Sequence, residues 1–344
     1  DKSLEPMPAP AEYFCKRGYV TVVQDCRGRY NSEGEYYHMA NEAEDGFDTV
    51  EWLYIPDPAT TMNALIAGEI DFWETPSPDL VAGMEGNPDI IIKVIDPLGT
   101  QGWLRPNHLN PPFDNAKARQ ALLHMVKQED YLQAIIGDQK FWRTCAAYFM
   151  CDTPLDTDIG SGPLMNQDLD EARRLLKEGG YNGETLILMD PTDIPVLHGA
   201  SLVTAQMLRK IGAKVEVQAM DWSTLTSRRA ETKSIADGGW NIFHTYSTGA
   251  DVASPIANIG VSGGCVEEAW FGWPCDKMLE DLRDQFSRES DPAKQVEIGI
   301  ALQKRAYEVV PYVNYGQWFQ PTAYRSSLKG VLISPVPFFW NIEK

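Results

Sequence analysis

The sequence has no apolar run near the ~18–20 residues that a membrane-crossing helix requires. It also has no CxxC pair, no glycine-rich phosphate loop and no basic arm. Each gap excludes a class of function. Without a long apolar run, no spanning helix is expected. Without CxxC, and with none of the five histidines at metal-ligand spacing, no metal centre is expected. The absence of GxGxxG and of a P-loop argues against a nucleotide, and no cofactor is expected. Positive charge is scarce: 30 Lys and Arg stand against 49 Asp and Glu, a formal net charge of -19. Such a surface repels nucleic acid and anionic membranes, so neither is an expected partner. The opening Asp1-Lys2-Ser3-Leu4 lacks the basic start and apolar core of a signal peptide.

What is present suits a soluble globular chain. Its 344 residues are 23% charged and 43% hydrophobic, enough for one large or two ordinary domains. Six cysteines fall as Cys15 and Cys26, Cys145 and Cys151, Cys265 and Cys275. The last two pairs are spaced to close short loops as disulfides, which implies an oxidising compartment; buried free thiols are the alternative.

Hydrophobic periodicity marks the elements. Tyr19 to Cys26 reads as a buried strand, and Glu42 to Leu53 as a short amphipathic helix. Ile90 to Ile95 is a continuous apolar strand. Asn115 to Met125 places Ala118, Ala121, Leu122 and Met125 on one helix face. Asp168 with Glu171 predicts a capping box for a helix ending at Gly179-Gly180. Leu186–Met189, Leu197–Ile211 and Lys214–Ala219 form a strand–helix–strand pattern, which favours parallel pairing through a right-handed crossover. Asn241 to Tyr246 reads as a further strand, followed by helices at Lys277–Phe286 and Pro292–Val310.

Two resemblances follow from longer motifs. Residues 13–53, with Asp25, Arg27, Gly28, Ser32, Glu33 and Gly34 in a D-x-RG-x-x-SEG arrangement, resemble α/β-hydrolases of the X-prolyl dipeptidyl-peptidase and cocaine-esterase type. That resemblance implies a nucleophile elbow after Leu53, and none is there. A G-x-S-x-G occurs at Gly260–Gly264, but no histidine follows Ser262, whereas the hydrolase order is Ser, acid, His. No catalytic residue is expected, and a serine hydrolase remains the alternative reading.

From about Val50 onward the chain resembles dipeptide/oligopeptide-type (family 5) substrate-binding proteins of ABC importers. The signature is Asn107 to Leu122, NHLNPPFDNAKARQAL, with YIPDPATTMNALIAG and TGAD in support. The resemblance implies an α/β fold of the type II periplasmic-binding-protein kind: two lobes joined by crossover strands, one near-complete and the first incomplete, beside a hydrolase-like N-terminal fragment. The implied division is 1–53 for that fragment, 54–104 with 315–344 for the first-lobe remnant, and 105–314 for the second lobe. It further implies a truncated and impaired, non-enzymatic, extracytoplasmic protein whose tight two-lobe capture is lost, a small peptide or similar solute, and a transporter permease as partner.

Residue chemistry nominates the ligand contacts. A carboxylate suits a peptide's α-amine, and aromatic faces suit its apolar groups. The expected contacts are Trp222, Trp240, His244, Tyr246, Asp251, Trp270 and Trp273, with Asp251 for the amine by resemblance. Asn107 and Arg119 are expected to be structural. Arg228 and Arg229 are expected on a solvated helix face or at lobe-closing contacts.

Overall fold

The computed structural model describes residues 50–339 and 341–344. Residues 55–338 with 343–344 cluster as one compact unit, and residues 1–54 with 339–342 as another. Within the second of these, Trp52 meets Phe339 edge-on at 5.6 Å. The expected strand Tyr19–Cys26 and most of the expected helix Glu42–Leu53 lie outside the described residues. Positions 50–57 carry no regular secondary structure, so that helix does not reach its expected end.

The larger unit holds two sheets. Its strands are β1 (Phe72–Trp73), β2 (Ile90–Val94), β3 (Thr100–Pro106), β4 (Trp142–Arg143), β5 (Thr185–Pro191), β6 (Lys214–Met220), β7 (Ile242–Thr248), β8 (Val313–Trp318) and β9 (Pro321–Arg325). The small antiparallel sheet runs β1-β9-β2, and the large one β4-β8-β3-β7-β5-β6. In the large sheet β5 pairs parallel to both β6 and β7, while β3 pairs antiparallel to β7 and β8. The expected strand–helix–strand unit is therefore present, with helix Pro195–Lys210 as its crossover. Strands β3 and β8 lie side by side in the large sheet. Together they connect the two sheets through the chain at 95–99 and 319–320.

Local chemistry explains the helix boundaries. Asp57, Asn115, Asp168, Asp221, Asp276 and Asp291 each accept a backbone N–H one or two residues into the following helix. The capping box at Asp168 is only half formed. Asp168 accepts from the N–H groups of Asp170 and Glu171, but Glu171 turns to Arg174 and the Asp168 N–H goes to the His124 carbonyl.

Strand alternation splits the core. On β5, Leu186 and Leu188 face the main core with helices Ala116–Met125, Gln128–Ile135 and Pro195–Lys210. The intervening Ile187 and Met189 face the opposite way, into an aromatic cluster with Trp240, Phe243 and Trp273. One face of the sheet is thus sealed by helices, and the other carries aromatic rings. Asn107 and Arg119 are structural, as expected. The Asn107 Nδ2 donates to the Trp240 carbonyl at 2.9 Å, and Arg119 donates to the carbonyls of Val309 and Phe113 at 2.8 and 2.7 Å. Disulfides join Cys145 to Cys151 and Cys265 to Cys275; the pair Cys15 and Cys26 lies outside the described residues.

Candidate functional site

The aromatic cluster begins with Arg105 on β3. Its guanidinium is fully buried and, among the described residues, has no carboxylate partner. Instead it donates to four backbone carbonyls: Gly260 at 2.5 Å, Phe271 at 2.6 Å, Pro311 at 3.0 Å and Trp270 at 3.2 Å. Desolvation pushes its pKa down to about 9, which still leaves it charged at neutral pH. The loop 259–273 is therefore pinned through its backbone. Gly272 allows the close approach: a Cβ there would lie 2.8 Å from the Pro106 carbonyl, and its φ is +99°. The disulfide Cys265–Cys275 ties the same loop a second time.

On this base the rings form one surface. Trp240, Phe243 and Trp273 are buried, while Trp222, Trp270 and Phe271 are half-buried over them. Trp240 packs against Phe243 at 5.1 Å and Trp273 at 5.8 Å. Trp222 and Trp270 therefore keep part of their ring surface accessible. Trp240 and Trp273 do not: at 0% and 5% exposure they form the floor, and touching a ligand would require repacking. For these two the expectation of direct contact is corrected to a supporting position.

His244 is also corrected. It lies on the helix-facing side of β7, fully buried, with its Nε2 2.8 Å from the Thr204 hydroxyl and its Nδ1 3.3 Å from that of Ser201. Burial pushes the imidazole pKa down to about 3, so it is neutral. It is a core histidine. The Ser201 hydroxyl beside it is equally sealed, which removes that pair as a nucleophile and base.

Tyr246 and Asp251 stand apart from the rings. Alternation puts Tyr246 on the His244 side of β7, where its half-exposed ring meets Trp318 edge-on at 5.8 Å. Asp251 is exposed in the short turn after β7, and its Oδ2 accepts from the Thr248 hydroxyl at 2.8 Å. That turn is fastened to the start of β3 by the Gly249 N–H donating to the Gly99 carbonyl at 2.6 Å. The seven nominated residues thus divide into a ring surface, a pair near the junction of the two sheets, and one core histidine.

One neighbour escaped the sequence reading. Arg229, expected in solvent or at a lobe contact, lies half-buried with its Cζ 4.7 Å from the Phe271 ring, 5.0 Å from Trp270, 5.4 Å from Trp222 and 6.0 Å from Phe243. The signal was present: Trp222, Leu225 and Arg229 fall at i, i+3 and i+7, one helix face. Arg228 does turn outward, donating to the Gly238 and Gly239 carbonyls at 3.3 Å.

Other sites are poorer. The Ser262 hydroxyl donates to Glu280 at 3.2 Å, in a loop with no histidine partner. A shallow hollow of about 410 Å³ lies elsewhere, between β2 and the Lys140–Phe141 turn, floored by Ile90, Ile92 and Met84. Among the described residues no group of His, Cys, Asp and Glu is placed to hold a metal ion.

Two sheets joined by paired crossover strands, with rings and an acid at strand ends, define a solute-binding class of α/β protein. The chain belongs to the bacterial extracellular solute-binding proteins, family 5, whose model matches residues 29–265. That match starts earlier than the expected Val50 and overlaps the hydrolase-like stretch. A probable peptide ABC transporter periplasmic-binding protein of Sinorhizobium fredii is 34% identical over 321 residues, covering 90% of this chain and 60% of that protein. The fold matches the ABC transporter-associated periplasmic binding protein DppA of Helicobacter pylori, solved with the peptide STSA: TM-score 0.70, 22% identity, 84% of this chain and 55% of that one. It equally matches AgaA of A. tumefaciens, solved with agropinic acid: TM-score 0.70, 20% identity, 84% and 59%. These relatives are binding proteins, not enzymes. The chain spans about 60% of the length of the curated relatives it matches.

Proposed function

We propose that this chain binds a peptide-type solute on the extracytoplasmic side and presents it to the permease of an ABC importer. The observation that carries this reading is the pinned aromatic surface: a loop fastened by Arg105 and a disulfide holds Trp270 and Phe271 beside Trp222 over a buried aromatic floor. Rings on a rigid base suit apolar side chains of a ligand. Asp251, free of any cationic partner among the described residues, suits a ligand's amine. Two disulfides fit an oxidising compartment. No helix among the described residues is long and apolar enough to cross a membrane.

On this reading the large sheet with its helices, roughly 105–314, is the second lobe. The small sheet, from 54–104 and 315–344, is part of a first lobe, and the described residues supply one wall of the cleft more fully than the other. Residues 13–53 keep their hydrolase resemblance as a proposal about origin. A cleft with one full wall binds more weakly than a closed clamp.

The test is calorimetric titration of the purified protein with a panel of di- to tetrapeptides. Binding is expected, and Asp251→Asn is expected to weaken it at least tenfold by removing a charge-assisted bond. No heat from any peptide sinks the reading. A fluorophosphonate probe is expected to leave the protein unlabelled; labelling of Ser262 would favour the hydrolase.

A further inference from the structure

The small sheet ends in β2, and a hollow lies beside that end. β2 pairs with β9 through all five of its residues, Ile90–Val94, and has no strand on its other side among the described residues. That leaves about 15 Å of backbone edge with alternate N–H and C=O groups pointing outward. The hollow of about 410 Å³ is lined by Ile90, Ile92, Lys93 and Val94, so it follows the strand edge rather than one face of the sheet. All its lining residues belong to the larger unit. The floor is apolar: Ile90 and Ile92 pack with Met84 on the helix side of the small sheet, and Phe141 adds a ring. The charge of the lining is opposite to that of the chain. Lys93 and Lys140 stand against a single acid, Glu85, in a protein of net charge -19. Lys140 is engaged, with its Nζ 2.7 Å from Glu85 and 3.0 Å from Asp138. Lys93 is exposed and makes no ion pair among the described residues. A lysine on an open edge repels a cationic strand. A second copy of this chain would bring the same lysine to the seam together with its own large negative charge. The edge stays open to a strand that carries an acid.

We infer that the open edge of β2 is a docking site for an extended segment of a partner protein in which apolar and acidic residues alternate. The segment adds to the small sheet as a strand beside β2, and its backbone pairs with the outward N–H and C=O groups. Alternation then sorts its side chains. The apolar ones fall on the face of Ile90 and Ile92, over Met84 and Phe141, and the acidic one falls on the other face beside Lys93. The site shares no residue with the ring surface or with the turn after β7, so it does not rest on the solute-binding reading.

The probes are pentapeptides blocked at both ends, acetyl-Thr-Val-Glu-Val-Thr-amide and acetyl-Thr-Val-Lys-Val-Thr-amide. Each is titrated into the full chain by calorimetry, and hydrogen–deuterium exchange locates it. The acidic peptide is expected to bind about fivefold more tightly than the basic one, or better, and to slow exchange at 90–94. In Lys93→Glu the order is expected to reverse, with an unchanged far-ultraviolet circular dichroism spectrum, because Lys93 is exposed. Strand addition also predicts an asymmetry, because only every second N–H of an added strand faces its neighbour. N-methylation of the Glu amide alone, or of the two Val amides alone, is expected to abolish binding in one case and to leave most of it in the other. Equal effects of the two methylations overturn strand addition. Equal affinity of the acidic and basic peptides for the wild type overturns the inference without recourse to any variant. A preference for the acid that survives in Lys93→Glu, slowed exchange confined to segments other than 90–94, and no binding at millimolar concentration each do the same. If the acidic pentapeptide binds at β2 while free di- to tetrapeptides give no heat, the docking site stands and the solute reading falls; the opposite pair of results removes the docking site alone.

Discussion

His244 and Arg105 show how burial sets the chemistry of single residues. The His244 imidazole titrates near 3 when folded and near 6.5 when unfolded. As pH falls below about 6.5 the unfolded chain takes up a proton that the folded chain refuses. The stability present above 6.5 is therefore lost progressively toward pH 3, by about 2–3 kcal/mol at pH 4.5. Replacing the residue with His244→Gln, which keeps polar contact with Thr204, is expected to flatten the fall in melting temperature between pH 7.5 and 4.5. An unchanged pH profile would contradict a buried neutral imidazole. Arg105 predicts a different loss. Arg105→Met strands the carbonyls of Gly260, Trp270, Phe271 and Pro311 and is expected to cost about 3 kcal/mol or more in urea unfolding. Arg105→Lys is expected to recover little of it, because one ammonium cannot span four acceptors. At this scale the sequence was only partly legible. Aromatic residue types pointed to a cluster that the structure does bring together, but they did not reveal which face of β7 was sealed by helices. That single fact separates Phe243 from His244 and Tyr246.

Elements were easier to read than residues, because each carries its own signals. The cap residues Asp168 and Asp291, the βαβ alternation and the apolar β2 run are local, and they recur in the structure within a few residues. Asp291 closes the start of the long helix Pro292–Val309, accepting from the Ala293 N–H at 2.9 Å. Asp291→Ala is expected to cost about 1 kcal/mol, read as a lower midpoint in urea with an unchanged slope. What was missed at this scale was non-local. The half-formed capping box at Asp168 follows from the His124 carbonyl, 44 residues away in sequence, taking the N–H that the box would use. The pinning of the loop 259–273 depends on an arginine more than 150 residues earlier. The loop's second fastening can be tested separately. Reduction of Cys265–Cys275, or its replacement by serines, is expected to cost about 2–3 kcal/mol through the ten-residue loop it closes, and to weaken ligand binding more than loss of Cys145–Cys151 does.

At the scale of the whole molecule, the two sheets are unequal. The large one has helices on one face and an ordered aromatic surface on the other; the small one has three strands, two of them edges. Its apolar strand β2 pairs with β9 alone among the described residues and leaves Ile92 and Val94 half-exposed. The family signature at 107–122 was legible because it packs the junction between β3 and its first helix, where Asn107 and Arg119 have one workable geometry each. The ring cluster was not legible as a unit, because its members come from segments as far apart as β5 and the loop 259–273. The central claim is that a peptide-type solute lies across the rings and the turn after β7. Hydrogen–deuterium exchange with and without saturating peptide measures this directly. The account predicts slowed exchange in 222–229, 246–251 and 270–273. Protection confined to the hollow around 84–94 and 140–141, or no change in those three segments, would contradict it.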